Sequence, residues 1–199
     1  MDQAFDLDER DAIPRLWRWP FLAVKSKPRM DAAVFMPKGQ LLQHAAWLLC
    51  FDYGDVDVGE LTRFLQEASK VLEGDFGCLT LLTDAEIEAG RRNGAVLALD
   101  RRATRFTFSI SSRDIRMCIP DVYWMTVFGA PYVKMFGRDR LLSAPVHTAE
   151  TLVEAAISLQ FTPSLEDVRA DASLFAETKR RLKEFLGEDA FFAVERPGG

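Results

Sequence analysis

Histidine and cysteine are scarce in this chain, and that scarcity narrows the chemistry it can perform. The 199 residues contain two histidines and three cysteines, so sites built from several residues of either type are not expected. The sequence also lacks a glycine-rich phosphate loop, a G-x-S-x-G turn around a serine nucleophile, and the H-E-x-x-H and C-x-x-C zinc patterns. Each of these motifs supplies a geometry that its chemistry requires. Since all of them are absent, we expect no catalytic residues, no metal and no other cofactor.

Signals for secretion or membrane insertion are also missing from the sequence. The N-terminal stretch MDQAFDLDERD is acidic and lacks the positive and apolar regions of a secretory signal, and no apolar run approaches the length of a membrane span. Cys50, Cys78 and Cys118 are odd in number, and each lies in apolar sequence. Free, buried thiols in a reducing cytoplasm are therefore expected, with one disulfide and a spare thiol as the alternative.

The balance of charge is mildly acidic. Twenty-five Lys and Arg residues face 30 Asp and Glu residues, for a net charge of −5, and the stretch from Asp52 to Glu88 is one of the acidic regions. Non-specific affinity for nucleic acid comes mainly from neutralising phosphates, so nucleic acid is not an expected partner. A protein partner with a basic surface suits this charge better.

Interspersed helical and alternating patterns predict an α+β fold. Residues 57–73 place apolar residues at helical spacing, with Asp57 as the N-cap, Glu60 as its capping-box partner and Gly74 as the left-handed stop. Arg105–Ser111 and Ala156–Phe161 alternate as strands with one wet face. We expect a mainly antiparallel sheet with helices packed on one face, in a single domain over residues 1–199 whose ends, 1–12 and 196–199, are frayed.

Two further helices are predicted from the second half of the chain. Pro163 and Ser164 open the longest one, which runs to about Leu186 and stops at Gly187. Before this helix, the residues Gly129-Ala130-Pro131 are expected to interrupt regular secondary structure. Pro131 suits the first turn of a new helix, which Gly137 then weakens. Extended pieces are expected at Phe21–Val24, Ala32–Met36, His44–Asp52 and Phe76–Leu82.

Three groups of polar residues are candidates for a metal-binding or catalytic site. The carboxylates of Asp52, Asp55 and Asp57 could hold a hard cation, but turn and capping roles explain them better. Pro120-Asp121 with Glu177-x-Lys179 superficially matches a nuclease pattern, although the last two residues are predicted to face solvent from the middle of a helix. An enzyme of another type would need His44 or His147 beside a carboxylate or cysteine, and a small-molecule sensor is a further alternative.

The most distinctive segment is residues 119–145, which has five aromatics within fourteen residues, from Tyr123 to Phe136. Packing of these aromatics in the core is one interpretation. In the other, some aromatics and arginines are displayed, since tyrosine, tryptophan and arginine carry much of the energy of protein interfaces. Under the second interpretation the candidate protein-binding residues are Tyr132, Arg138, Asp139 and Arg140.

This segment also carries a resemblance. The string VYWMTVFGAPYVKMFGRDRLLSAP, followed by LQFT at Leu159–Thr162, resembles a bacterial protein family similar to the small cytoplasmic immunity proteins of contact-dependent or secreted-toxin systems. The resemblance covers roughly residues 119–165 and carries no catalytic residue. It implies a non-catalytic α+β protein that neutralises a partner toxin by binding and occluding it.

Overall fold

Two antiparallel sheets contain the strands that the structure describes. The structure is a computed structural model and describes residues 21–26, 29–35, 45–81, 117–170 and 172–191. The first sheet has the order β1-β2-β3 and the second β4-β5-β7-β6. Their bounds are β1 Phe21–Ser26, β2 Arg29–Phe35, β3 Ala46–Phe51, β4 Phe76–Leu79, β5 Met125–Phe128, β6 Thr148–Val153 and β7 Ala156–Gln160.

Some of the helices follow the sequence signals, whereas the helix at Arg138–Leu142 was not predicted. Within the described residues the helices are α1 Val58–Val71, α2 Ala130–Phe136, α3 Arg138–Leu142, α4 Asp167–Ala170 and α5 Ala172–Leu186, with short 3-10 turns at Tyr53–Asp55 and Glu188–Ala190. None of these helices combines the length and apolar character needed to cross a bilayer. The long helix predicted from Ser164 to Leu186 corresponds to two helices in the structure, α4 and α5.

Helix α1 begins at the predicted cap and ends at Val71, two residues earlier than predicted. The Glu60 amide donates a 2.9 Å hydrogen bond to the side chain of Asp57, which confirms Asp57 as the N-cap. At the other end Glu73, with a φ of 49°, takes the left-handed conformation expected of Gly74, and the Gly74 amide donates to the Ser69 carbonyl at 3.0 Å.

Gly129 connects β5 to α2 at a close backbone approach. A Cβ at this position would lie 2.0 Å from the carbonyl oxygen of Gly74, while the Gly129 amide donates to the Asp75 carbonyl at 3.0 Å. The contact thus joins the end of α1 to the start of α2 and excludes any side chain there. Pro131 follows in the first turn of α2, as predicted, and Gly137 ends that helix with a φ of 82°.

The four-stranded sheet is covered on both faces. In the register, Val127 pairs with Gly77 and Phe128 pairs with Ile157, and alternate residues along a strand point to opposite faces. A Cβ on Gly77 would lie 3.0 Å from a Leu65 methyl, so α1 covers the Val127 face. The aromatic residues of α2 and the apolar residues of α5 cluster with Phe128 on the other face.

The α+β class and the antiparallel sheet with helices packed against it are confirmed. The helices divide between the two faces of the four-stranded sheet, which differs from the expected single helical layer. Strand β7 shows the consequence: Ile157 and Leu159 are buried as predicted, but Ser158 between them is also only 1% exposed. Its face is therefore not wet, because α1 lies over it. The strand predicted at Arg105–Ser111 and the ends at 1–12 and 196–199 lie outside the described residues.

Each face of the sheet supports its own apolar cluster. One cluster joins β5 and β7 to α2, α3 and α5; the other joins Met125 to α1 and α4. The apolar residues of the predicted long helix divide between the two clusters, because Leu165 and Val168 belong to the second cluster while Leu182 and Leu186 belong to the first. Phe175 contacts both clusters, so the α4–α5 segment links the two sides of the sheet.

Candidate protein-binding surface

Tyr132, the first of the four predicted contact residues, lies in the core. Its side chain is fully buried, and its ring centroid lies 5.4 Å from that of Phe128 and 5.9 Å from that of Phe76. The hydroxyl donates a 3.2 Å hydrogen bond to the Cys118 carbonyl, and burial raises the pKa of this phenol. The prediction that Tyr132 is displayed to a partner is wrong, because Phe76 and Phe128 enclose its ring.

Arg138 is half-buried and holds α3 against the β6–β7 hairpin. Its guanidinium donates to the Thr151 hydroxyl oxygen at 2.7 Å and to the Glu154 carbonyl at 3.0 Å. Two directed hydrogen bonds from one planar group fix its orientation. Its role in the described structure is to position α3.

Arg140 connects α3 to the end of α5, and Asp139 lies between the two arginines. The Arg140 guanidinium donates to the Phe185 carbonyl and lies 5.5 Å from the centroid of the Phe185 ring. That carbonyl is one of the last four of α5, which have no partner within the helix. Asp139 and Arg140 are exposed, so α3 retains a charged outer surface although both arginines are held by contacts within the chain.

A second surface, on α1, was not recognised from the sequence. Glu60, Phe64, Glu67 and Val71 follow the spacing i, i+4, i+7 and i+11, which places them along one side of the helix. We call these four residues the outer stripe of α1. Phe64 is 47% exposed and Val71 is 78% exposed, while Leu65 packs toward the sheet. The sequence signal for this surface is the pair of apolar residues Phe64 and Val71, seven residues apart on a different side of the helix from Leu65.

The segment that contains this helix is acidic. Residues 52–75 carry seven carboxylates and two cations, Arg63 and Lys70. Lys70 forms a 2.7 Å ion pair with Glu67. Leu72, predicted for the inner stripe, is 53% exposed at the end of the helix. The outer stripe therefore combines two exposed apolar side chains with two carboxylates, in an acidic segment of the chain.

Asp121 and Lys179, from the nuclease-like pattern, do meet in the structure. The Lys179 ammonium lies 2.7 Å from one oxygen of Asp121 and that of Lys183 lies 2.9 Å from the other. Burial alone would raise the pKa of Asp121, but the lysines and a backbone hydrogen bond from Val122 outweigh it and lower the pKa below 3.8. Lys179 was predicted to face solvent, and this prediction is wrong because its ammonium group pairs with Asp121. The cluster of Asp121, Lys179 and Lys183 joins the chain before β5 to α5.

The other residues of the three candidate chemical sites do not join the cluster of Asp121, Lys179 and Lys183. Glu177 is exposed, as expected, and pairs with Arg180 on its own helix. His147 is exposed at the start of β6 and makes no hydrogen bond or ion pair with a carboxylate or cysteine of the described ranges; His44 lies outside them. Asp57 caps α1, and among the described residues no group of three potential ligands is placed to hold a metal ion.

Comparison with family models, curated proteins and solved structures finds no match to this chain.

Proposed function

We propose that this chain is a non-catalytic protein-binding module that acts by covering a surface of its partner. The observation that carries the proposal is the exposure of Phe64 and Val71 on α1 and of Leu72 at its C-cap, at 47%, 78% and 53%. Several large apolar side chains exposed to water on one element are characteristic of protein interaction sites. Rigid attachment of α1 to the sheet through Leu65 favours binding further, because it reduces the ordering needed on association.

The resemblance of residues 119–165 to immunity proteins supplies the biological setting of the proposal. In that setting the chain is a cytoplasmic protein of a bacterium, and its partner is a toxin whose active surface is basic. Opposite charge would speed the encounter more than it would set the final affinity. Asp139 and Arg140 on α3 are secondary candidates for contacts, whereas Tyr132 is no longer one.

Affinity capture from the native host tests this proposal. The tagged chain is expected to retain one protein at near-equal stoichiometry, identified by mass spectrometry and then purified separately to re-form the complex. A matched bait, Phe64→Ser with Val71→Ser, is expected to retain much less of that protein because the exposed apolar contact is lost. If the captured protein is a toxin, co-expression of this chain should restore growth to cells that produce it.

Two outcomes would contradict the proposal. One is recovery of no protein that re-forms a complex from purified components. The other is a turnover activity of the purified chain that is lost on substitution of His147, which would favour the enzyme alternative. Urea unfolding of the double variant, with a midpoint close to that of the parent, shows that its fold is retained.

A further inference from the structure

We propose that the outer stripe of α1 is the docking site for a cationic, amphipathic segment of the partner protein. The inference rests on the function proposed above and names the surface and the chemistry of the partner. Carboxylates and apolar side chains alternate along the stripe, in the order Glu60, Phe64, Glu67 and Val71. A segment that matches this pattern needs apolar residues and Lys or Arg on the same side.

The dimensions of the stripe suit one helix or one strand. From Glu60 to Val71 the helix rises roughly 16 Å, at about 1.5 Å per residue. This length corresponds to about three turns of a partner helix laid alongside, which is enough for two apolar anchors with a charged contact beside each. Because α1 lies across the Val127 face of the sheet, the stripe is presented on a supported element.

Charge decides between the occupants that could cover an apolar helix face. The seven carboxylates of residues 52–75 outnumber the two cations, and Asp52, Asp55, Asp57, Glu60, Glu67 and Glu73 are exposed. A second copy of this chain would bring the same carboxylates together. A nucleic acid or an anionic membrane would likewise meet repulsion, so a basic protein segment is the occupant that the surface favours.

A defined probe tests the docking site without the native partner. The probe is an amphipathic helical peptide of leucine and lysine about five turns long, and the counter-probe replaces every lysine with glutamate. On titration into the ¹⁵N-labelled full chain, the leucine–lysine peptide is expected to shift the amide resonances of Phe64, Glu67 and Val71 most. The counter-probe is expected to leave them unchanged.

Two pairs of charge variants separate the stripe from the overall charge. Glu60→Gln with Glu67→Gln removes two carboxylates from the stripe. Glu154→Gln with Glu188→Gln removes two exposed carboxylates elsewhere, so the net charge changes equally. The stripe pair is expected to weaken peptide binding about two- to tenfold, and the control pair to weaken it less than about twofold.

Apolar variants and salt test the two halves of the proposed contact. Phe64→Ser with Val71→Ser is expected to weaken binding about tenfold or more, because the buried apolar area is lost. Raising the ionic strength from about 0.01 M to about 0.15 M shortens the Debye length from about 30 Å to about 8 Å and should weaken the charged part of the contact.

The inference is overturned if the peptide shifts resonances away from α1, if it does not bind, or if both carboxylate pairs weaken binding equally. These outcomes leave the proposed function intact when host capture still recovers a partner. Failure of host capture, by contrast, removes the proposed function whatever the peptide does.

Discussion

At the scale of single residues, aromatic character did not reveal which side chains are displayed. Tyr132 and Phe64 both lie on helices, yet Tyr132 is fully buried and Phe64 is 47% exposed. The difference arises from what packs against each residue, since Phe76 and Phe128 surround Tyr132. Roles assigned to aromatic residues therefore depend on the neighbours that the fold brings to them.

Removal of the Tyr132 hydroxyl should affect stability and not binding. Tyr132→Phe loses the hydrogen bond to the Cys118 carbonyl and leaves that acceptor without this donor, so the free energy of unfolding should fall by about 1 kcal/mol. Urea denaturation measures the change. Peptide binding to the outer stripe should be unaltered; an unchanged stability combined with weakened binding would instead place this residue on the interaction surface.

At the scale of elements, the short helix α3 is held by its two arginines. Arg138 donates to the β6–β7 hairpin and Arg140 to the end of α5. A helix of five residues has little stability of its own, since helix nucleation is costly. The arginines predicted as partner contacts therefore have a structural role as well, and variants at either position would confound binding with the placement of α3.

Asp121 provides the corresponding link between the chain before β5 and α5, and its removal should destabilise the protein. Asp121→Asn leaves Lys179 and Lys183 without their shared carboxylate. Because about a third of the Asp121 side chain is exposed, solvent screens the contact, and we expect a loss of about 1 kcal/mol near neutral pH. Glu177→Gln is the matched control on α5 and should change the urea midpoint far less.

The pH dependence of this effect follows from the lowered pKa of Asp121. A carboxyl whose pKa is lower in the folded state stabilises that state fully above its unfolded pKa, and this contribution is lost as the pH falls through the folded pKa. The difference between the parent and Asp121→Asn should therefore be constant at neutral pH and shrink below about pH 3.8. A series of urea titrations down to about pH 2 measures it; a difference that grows on acidification would contradict the assignment.

At the scale of the whole molecule, the packing of helices on both faces of one sheet sets what is buried. All four residues of β5 are buried, and the two apolar clusters meet at Phe175. Strands with two covered faces do not show the alternation of a half-wet sheet. This arrangement places α1 on the outside of one layer, with its outer stripe away from the sheet.

The state of the thiols is a property of the whole chain and remains a prediction. Within the part of the chain that the structure describes, Cys78 and Cys118 carry thiols and form no disulfide; the side chain of Cys50 lies outside that part. Denaturation without reductant should expose three reactive thiols, and fewer than three would indicate a disulfide. In the native protein Cys78 should react slowly with iodoacetamide, because burial raises its pKa to about 12.

Local chemistry was sufficient to predict several of the elements, although it did not predict β5, β6 or α3. Asp57 as a cap, Pro131 in a first turn and Gly187 after α5 each act through the few residues beside them, so the sequence predicts them directly. The outer stripe of α1 was also readable from apolar spacing. Its exposure was not, because Leu65 and Phe64 are equally apolar and only the position of the sheet distinguishes them.

The sequence by itself determined the α+β class, the helix α1, the strands β1 to β4 and β7, and the acidic character of residues 52–75. Tertiary structure alone decided the strand order β4-β5-β7-β6, the burial of Tyr132 and the meeting of Asp121 with Lys179, 58 residues away. The physical reason is the separation along the chain over which each kind of interaction acts. Hydrogen bonds and periodicity within an element act over a few residues, whereas burial and ion pairing depend on which distant elements the folded chain brings into contact.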